Sequence, residues 1–343
     1  MRRALEFYAG IGGLSRALAR CDIPDVKVVA AFDHNPSATA VYAHNNPSHP
    51  VYRTDISRLT ADELARHDAS IWLLSPPCQP YTVLSPQAKG HADPRASSFN
   101  HLAFVVLPQL AEQGAHPTHI LIENVAGFKG SLTHKKTVEL LASLGYTIRE
   151  FLLSPLQFQI PNSRQRYYLL AKRSSLLFAV PPVEWNNWND FRGPGEPDNI
   201  APVSEFLDIN EDEAAECIVP DKVLVKWAHE FDIVLPSTRR TCCFTRGYTH
   251  LAQGSGSVLQ AETTLDAGRD TVGADVEILR PLQLRYFTPS ELLRLLCFLP
   301  ARDGECAFEW PAETSRKTKY KLLGNSVNVL VVMHLLKYLF LEL

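Results

Sequence analysis

The sequence predicts an α/β fold with an open, mostly parallel, doubly wound sheet, and three observations carry that prediction. Short apolar or β-branched runs alternate with helix-compatible stretches over the first 175 residues, and a glycine-rich turn follows the first run. The alternation stops near Pro181 and resumes after Arg280. Alternation of this kind implies βαβ units, whose crossovers place successive strands parallel.

Taken in order, residues 4–8, 26–32, 71–74, 119–122, 146–153 and 167–171 read as strands, with a third short strand before Asp55. Residues 14–20, 37–45, 61–67, 102–113 and 135–144 carry helix-compatible patterns between them. From Pro181 to about Arg280, Pro, Gly, Asn and Trp accumulate around Arg192-Gly193-Pro194-Gly195, followed by an acidic stretch over 210–216, which marks a second, smaller lobe. Thr288-Pro289-Ser290-Glu291 then offers a capping Thr, a first-turn Pro and a Glu three residues on, launching a helix over 292–298. An apolar segment over 327–343 is expected to pack back on the sheet as the last helix. The expected division is 1–180 with 283–343 as the larger domain and 181–282 as the lobe; no internal repeat or low-complexity tract interrupts it.

Composition sets limits without choosing a function. The chain has 343 residues, 45% of them hydrophobic and 21% charged, as in an ordinary soluble protein. No run approaches the ~18 consecutive apolar residues of a membrane span, so no membrane partner is expected. Met1-Arg2-Arg3 leads at once into a brief apolar run ending at Glu6, too short for a secretory signal. Seven cysteines without regular spacing suit a reducing compartment, hence a cytoplasmic or nuclear address. A net charge of -3 does not by itself suggest a nucleic-acid binder, although a local basic stripe is compatible with it.

The first strand runs into Tyr8-Ala9-Gly10-Ile11-Gly12-Gly13-Leu14 and a helix, where glycines let the backbone approach a ligand at the top of the sheet. A ligand-free turn would look the same, so other residues must decide. Asp33 ends the second strand about 20 residues on, placed to bind both ribose hydroxyls of an adenosine-type cofactor. Asp55, after the third strand, can accept from an adenine amino group; either Asp can equally be a helix cap. Ser15 stands where a dinucleotide fingerprint wants Gly or Ala, which counts against a nicotinamide oxidoreductase, and no P-loop is present.

The most specific signal is Ser75-Pro76-Pro77-Cys78-Gln79-Pro80-Tyr81-Thr82, directly after the third long strand. Three prolines fix the backbone around one thiol, which lies beside the glycine loop at the carboxyl ends of the strands. A buried inert cysteine is the ordinary reading of a Cys, but not of one braced at this place. Glu123-Asn124-Val125 leaves the next strand, where a carboxyl can donate a proton to a base held over Cys78 or merely cap a loop. Asn162-Ser163-Arg164-Gln165-Arg166 puts two arginines on one face of an extended segment, solvated or set to bind phosphate or a base carbonyl.

Together, Phe7-Tyr8-Ala9-Gly10-Ile11-Gly12-Gly13, Pro76-Pro77-Cys78-Gln79-Pro80, Glu123-Asn124-Val125, Arg164-Gln165-Arg166 and Gly324-Asn325-Ser326-Val327 resemble the cytosine-C5 methyltransferases over nearly the whole chain. The resemblance implies a Rossmann-like S-adenosylmethionine-dependent fold in which 181–282 is a target-recognition domain. It implies Cys78, Glu123, Arg164 and Arg166 as catalytic residues: Cys78 adding to cytosine C6, Glu123 protonating or hydrogen-bonding N3, the arginines holding base and backbone. It implies a cofactor pocket of Gly10, Ile11, Gly12, Gly13, Asp33, Asp55, Ile56, Ser75, Asn325, Ser326 and Val327. S-adenosyl-L-methionine is then the cofactor, S-adenosyl-L-homocysteine the product, and no metal is needed.

Cys243-Phe244-Thr245, followed by Arg246-Gly247-Tyr248, resembles the hallmark of the Dnmt2 branch, which modifies tRNA. That implies cytosine 38 of the aspartate tRNA anticodon loop as target, with Cys243, Phe244 and Thr245 on the substrate side and the protein acting as a monomer. A single-stranded loop suits the chemistry, since its bases splay out without breaking a duplex. Lys89, His91 and Arg95 lie in a polar stretch over 85–98, expected to close over the site, with Lys89 and Arg95 touching substrate. Tyr81 replaces the branch's usual Phe, and Cys242 is an addition beside the motif. Cytidine deaminases also carry Pro-Cys motifs, but Tyr81 stands where their second Cys belongs and no H-x-E accompanies it. A DNA methyltransferase of the same mechanism and a catalytically silent nucleic-acid-binding scaffold remain the alternatives.

Overall fold

The computed structural model describes residues 1–78, 81, 93–179, 199–208, 211–265, 276–301 and 307–341. Its main sheet is built from β1 (Arg2–Phe7), β2 (Val26–Asp33), β3 (Val51–Arg53), β4 (Ile71–Leu74), β5 (His119–Val125), β6 (Tyr146–Leu153) and β7 (Arg166–Arg173). The spatial order is β3-β2-β1-β4-β5-β7-β6. β1 to β5 pair in parallel, and β7 is antiparallel to both β5 and β6. The strand order reverses between β1 and β4, so the crevice outside their carboxyl ends is where such a sheet takes a ligand. The glycine loop follows β1 and the Pro-Cys loop follows β4; both therefore open into that crevice.

Every residue of β4 is buried because both faces of the sheet are covered. With side chains alternating across a strand, Leu73 and Leu121 join one apolar layer with Leu14 and Leu18 of α1 (Gly13–Ala19) and Val331, Leu335 and Leu339 of the last helix. Trp72, Leu74, Ile120 and Ile122 join the opposite layer with Phe99, Leu102 and Leu107. That second layer comes from a broken helix: α2 (Ser97–His101), a π-turn Leu102–Val106, and α3 (Leu107–Glu112). The expected helix over 102–113 thus starts earlier and is interrupted. Pro108 has no N–H to donate into the ladder, and just before it Leu107 N–H reaches five residues back to the Leu102 carbonyl.

The remaining crossovers begin at side-chain caps. Asn35 accepts from Ser37 and Ala38 N–H ahead of Pro36 in the helix Pro36–Asn45, and Ser131 accepts from His134 N–H ahead of Leu132–Ser143. The Thr288–Glu291 capping box is present, so the helix there runs Pro289–Leu295, shorter at its far end than expected because Cys297 turns left-handed at φ 60°. The last helix, Val329–Phe340, is capped by Asn328, whose side chain accepts from Val331 N–H. The stretch Arg316–Phe340 is long and apolar enough to cross a membrane by length and composition, yet 67% of its apolar window is buried in the protein, as in a core helix.

A second sheet, β8 (Asp232–Val234), β9 (Ser257–Gln260) and β10 (Leu284–Tyr286), is ordered β10-β9-β8. It has a small core of its own around Val219, Leu224, Val258 and Leu284, while Phe244, Tyr248 and Leu259 belong to the main core. A buried, two-pronged ion pair anchors it: Arg285 Nη1 and Nη2 donate to Glu291 Oε2 at 2.9 Å and Oε1 at 2.7 Å.

Candidate active site and cofactor pocket

The glycine loop is held from below and behind. Gly12 caps α1 in the left-handed conformation, φ 86°, and supplies no side-chain cap. Glu6, wholly buried on β1, takes over: Oε1 accepts Ser15 N–H at 3.3 Å and Oε2 accepts the Tyr42 hydroxyl at 3.0 Å. Burial pushes the Glu6 carboxyl up to about 7 despite those bonds. Asp33 fixes the next turn, Oδ2 accepting Gly10 N–H and Oδ1 accepting Asn35 N–H, both at 2.8 Å.

Above these supports lies a cavity of about 590 Å³. Gly10, Ile11, Gly13, Asp33, Asp55, Ile56, Ser75, Asn325, Ser326 and Val327 line one part, and Cys78, Glu123, Arg164 and Arg166 the other. Both ends of the chain meet here at van der Waals limit, since a Cβ on Gly13 would lie 2.6 Å from Val327 Cγ2. An adenosine-type cofactor fits the donor set. An ionised carboxylate offers about four acceptor positions, and Asp33 spends two on the backbone, leaving two for vicinal ribose hydroxyls. Asp55 is a helix cap and a wall residue at once: Oδ1 accepts Ser57 N–H at 3.0 Å and its hydroxyl at 2.7 Å, and Oδ2 remains for a ligand.

Cys78 is braced by short-range ties. Ser75 N–H donates to the Phe7 carbonyl at 3.3 Å and its hydroxyl to the Tyr8 carbonyl at 3.2 Å. Tyr81 N–H returns to the Cys78 carbonyl at 2.9 Å, and the Tyr81 hydroxyl donates to Thr133 Oγ1 at 2.9 Å. Burial pushes the Cys78 thiol up; Arg166 pulls it down, Glu123 pushes it up again and Arg164 pulls it down, with a net rise. Glu123 is also raised, by burial above all, against the pull of Arg166 and Arg164. The Arg166 Nε lies 3.4 Å from Glu123 Oε1. A buried carboxyl and a thiol lining one cavity, with the Arg166 guanidinium acting on both, form a constellation for general-acid and nucleophilic chemistry.

Arg164 is differently employed from the expected grip on base and phosphate. Its guanidinium donates to the carbonyls of Phe244 (2.9 Å), Gly324 (3.2 Å) and Ser326, pinning the lobe segment to the end of the helix Arg316–Gly324. Packing there is so close that a Cβ on Gly324 would come 2.2 Å from Arg246 N.

Other expectations are also redistributed. Gly12 faces Asn46, Ser15 and Tyr42 rather than the cavity, because the helix-capping turn directs it there. Phe244 is core, edge-on to Tyr248 and Phe287, and Thr245 uses its hydroxyl on Gly247 N–H, so neither lines the cavity. Cys243 is tied up with Arg164 Nη1 at 3.4 Å and Arg166 Nη2 at 3.7 Å; burial pushes this thiol up, but the two guanidiniums outweigh it and hold it below the ordinary range. Arg95 does line the cavity, forked onto Asp93 at 2.8 and 2.6 Å. Lys89 and His91 lie outside the described residues. Tyr8, Ser97, Ser98 and Arg246 also line the cavity without having been singled out; Arg246, a cation directly after Thr245, carried the readable signal.

Residues 2–340 match the family of C-5 cytosine-specific DNA methylases. A Schizosaccharomyces pombe protein described as a tRNA (cytosine(38)-C(5))-methyltransferase is 39% identical, the match covering 98% of this chain and 96% of that protein. A Dictyostelium discoideum protein described as a DNA (cytosine-5)-methyltransferase is 33% identical over 98% of this chain and 94% of its own length. Among solved structures, the S. pombe Dnmt2 methyltransferase superposes with a TM-score of 0.80 at 35% identity, covering 98% of each chain.

Proposed function

This chain belongs to the Dnmt2 branch of the cytosine-C5 methyltransferases, and from that premise we propose that it methylates C5 of a cytosine in tRNA, cytosine 38 of the aspartate tRNA anticodon loop. The observation that carries the reading is the single cavity shared by Cys78, Glu123 and Arg166 on one side and by Asp33, the glycine loop and Val327 on the other. The name borne by the S. pombe relative supports tRNA as the substrate. The six described cysteines are free thiols, in keeping with a cytoplasmic or nuclear address. The reading keeps 1–180 and 283–343 as the catalytic domain and 181–282 as the target-recognition domain, in a monomer without a metal.

Cytosine C5 is a poor nucleophile, and addition at C6 makes it enamine-like. S-adenosylmethionine, when bound, supplies an electrophilic methyl group and leaves as S-adenosylhomocysteine. Cys78, as thiolate, forms the S–C6 bond while Glu123, whose carboxyl burial pushes up, gives its proton or a hydrogen bond to N3. Arg166 steadies the Glu123 carboxyl and, with Arg164 behind it, favours the Cys78 thiolate. After C5 has taken the methyl group, a base removes the C5 proton, the electron pair restores the C5–C6 double bond as Cys78 departs with the S–C6 electrons, and any proton taken up by N3 returns to Glu123.

The test is transfer of labelled methyl groups to unmodified tRNA and to duplex DNA in parallel, with Cys78→Ala as blank. Label in tRNA alone is expected. Label in DNA alone would favour the second reading, for which the Dictyostelium relative's description speaks; label in neither would leave a binding scaffold.

A further inference from the structure

Tyr8 has an unusual backbone and an unusual set of ties. Its φ is 58°, in the left-handed region, which costs a bulky side chain free energy and persists only where the surroundings over-determine it. Among the described non-glycine residues in that region Tyr8 is the only aromatic one. Its carbonyl accepts the Ser75 hydroxyl at 3.2 Å, on the strand exit leading to Cys78. Its own hydroxyl donates to Ser98 Oγ at 3.2 Å, on α2. Its chain continues into Ala9, whose N–H is held by the Phe32 carbonyl at 3.1 Å, and Gly10, whose N–H is held by Asp33 at 2.8 Å. Burial raises the phenol far above its ordinary range, so the hydroxyl is a permanent donor.

Resting on the function proposed above, we infer that Tyr8 is a positioning residue that couples the two halves of the cavity, making cofactor and RNA bind cooperatively. The turn at Tyr8 is shared: its far side is the cofactor loop, and its near side is bonded to the Cys78 loop and to α2. A ligand that orders Gly10 to Gly13 therefore also fixes Ser75 and Ser98, and the ordering is already complete when the second ligand arrives. The Tyr8–Ser98 hydrogen bond is the one link in this set made by side chains alone, so it can be cut without touching the backbone.

The experiment measures the dissociation constant of an anticodon-loop RNA hairpin with and without saturating S-adenosylhomocysteine, for the wild type, Tyr8→Phe, Ser98→Ala and the double variant. Coupling of ordinary size makes the wild-type RNA bind about tenfold more tightly with S-adenosylhomocysteine present. In either single variant that ratio should fall to within about twofold of one, and the double variant should fall no further, as for two ends of one bond. A ratio retained in both singles overturns the inference. So does a loss of cofactor affinity in Tyr8→Phe that is the same with and without RNA, which would make Tyr8 an ordinary contact. No RNA binding by the wild type in either condition would instead bring down the functional reading, and this inference with it.

Discussion

Gly13 and Val327 meet so closely that one added carbon would fall 2.6 Å from Val327 Cγ2, with Phe298 Cζ at 3.2 Å. The first helix and the entry to the last one thus share a wall of the cavity, and neither can shift without the other. Gly13→Ala should displace Val327 and Ser326 at a cost of about 1–3 kcal/mol, weakening cofactor binding roughly five- to hundredfold. Calorimetric titration with S-adenosylhomocysteine checks this; unchanged affinity would place the cofactor elsewhere.

Cofactor binding and chemistry should separate by residue. Cys78→Ala is expected to abolish methyl transfer while leaving cofactor affinity intact, because the role proposed for the thiol is attack on the base and not a grip on the cofactor. Asp33→Ala should instead weaken cofactor binding most, since it removes the proposed ribose acceptor and the anchor of Gly10 and Asn35. Binding and turnover measured on both variants decide it, and a folded Cys78→Ala protein that no longer binds cofactor would contradict the division.

Glu123 and Cys78 are electrostatically opposed, and the sign is testable. The Glu123 carboxylate raises the Cys78 thiol, beyond what burial does. Glu123→Gln removes that negative charge, so the thiolate should form at lower pH and iodoacetamide should alkylate Cys78 with a midpoint shifted downwards. Methyl transfer should fall by about 10²–10⁴ as the proton donor is lost. A midpoint that moves upwards would refute the arrangement.

Glu6 predicts a pH-dependent stability. Its folded value of about 7 lies above the ordinary 4.5, so folding favours the neutral acid. That contribution is complete below pH 4.5 and is lost as pH rises through 7. Glu6→Gln cannot ionise and should gain on the wild type across this window by roughly 3 kcal/mol, at about 1.4 kcal/mol per unit. Denaturant midpoints at pH 5 and pH 8 give the comparison; a constant difference would mean that Glu6 does not titrate there.

Local sequence was informative where local physics decides. The strands at 71–74 and 146–153 appear at those bounds, and the Thr288–Glu291 cap forms as its spacing requires. The two loops that open into the crevice were readable because glycine and proline act on their own backbone. What stayed hidden depends on partners distant in sequence. Nothing near Arg164 tells that its guanidinium is spent on the carbonyls of Phe244, Gly324 and Ser326. Phe244 sits in a hallmark motif yet serves the core, and Arg246 beside it reaches the cavity. Glu6 reads as the charge that ends the first apolar run, and only the fold reveals it as the missing cap of α1.

The central claim is that Cys78 becomes covalently bound to the cytosine it modifies, and trapping tests it most directly. A fluorine at C5 cannot leave as a cation, so an RNA hairpin with 5-fluorocytosine at the target position should halt the reaction after methyl transfer with the S–C6 bond intact. With S-adenosylmethionine present, mass spectrometry should find a denaturation-resistant adduct on the peptide containing Cys78, absent from Cys78→Ala. Methyl transfer to the ordinary hairpin without any such adduct on the fluorinated one would contradict the account.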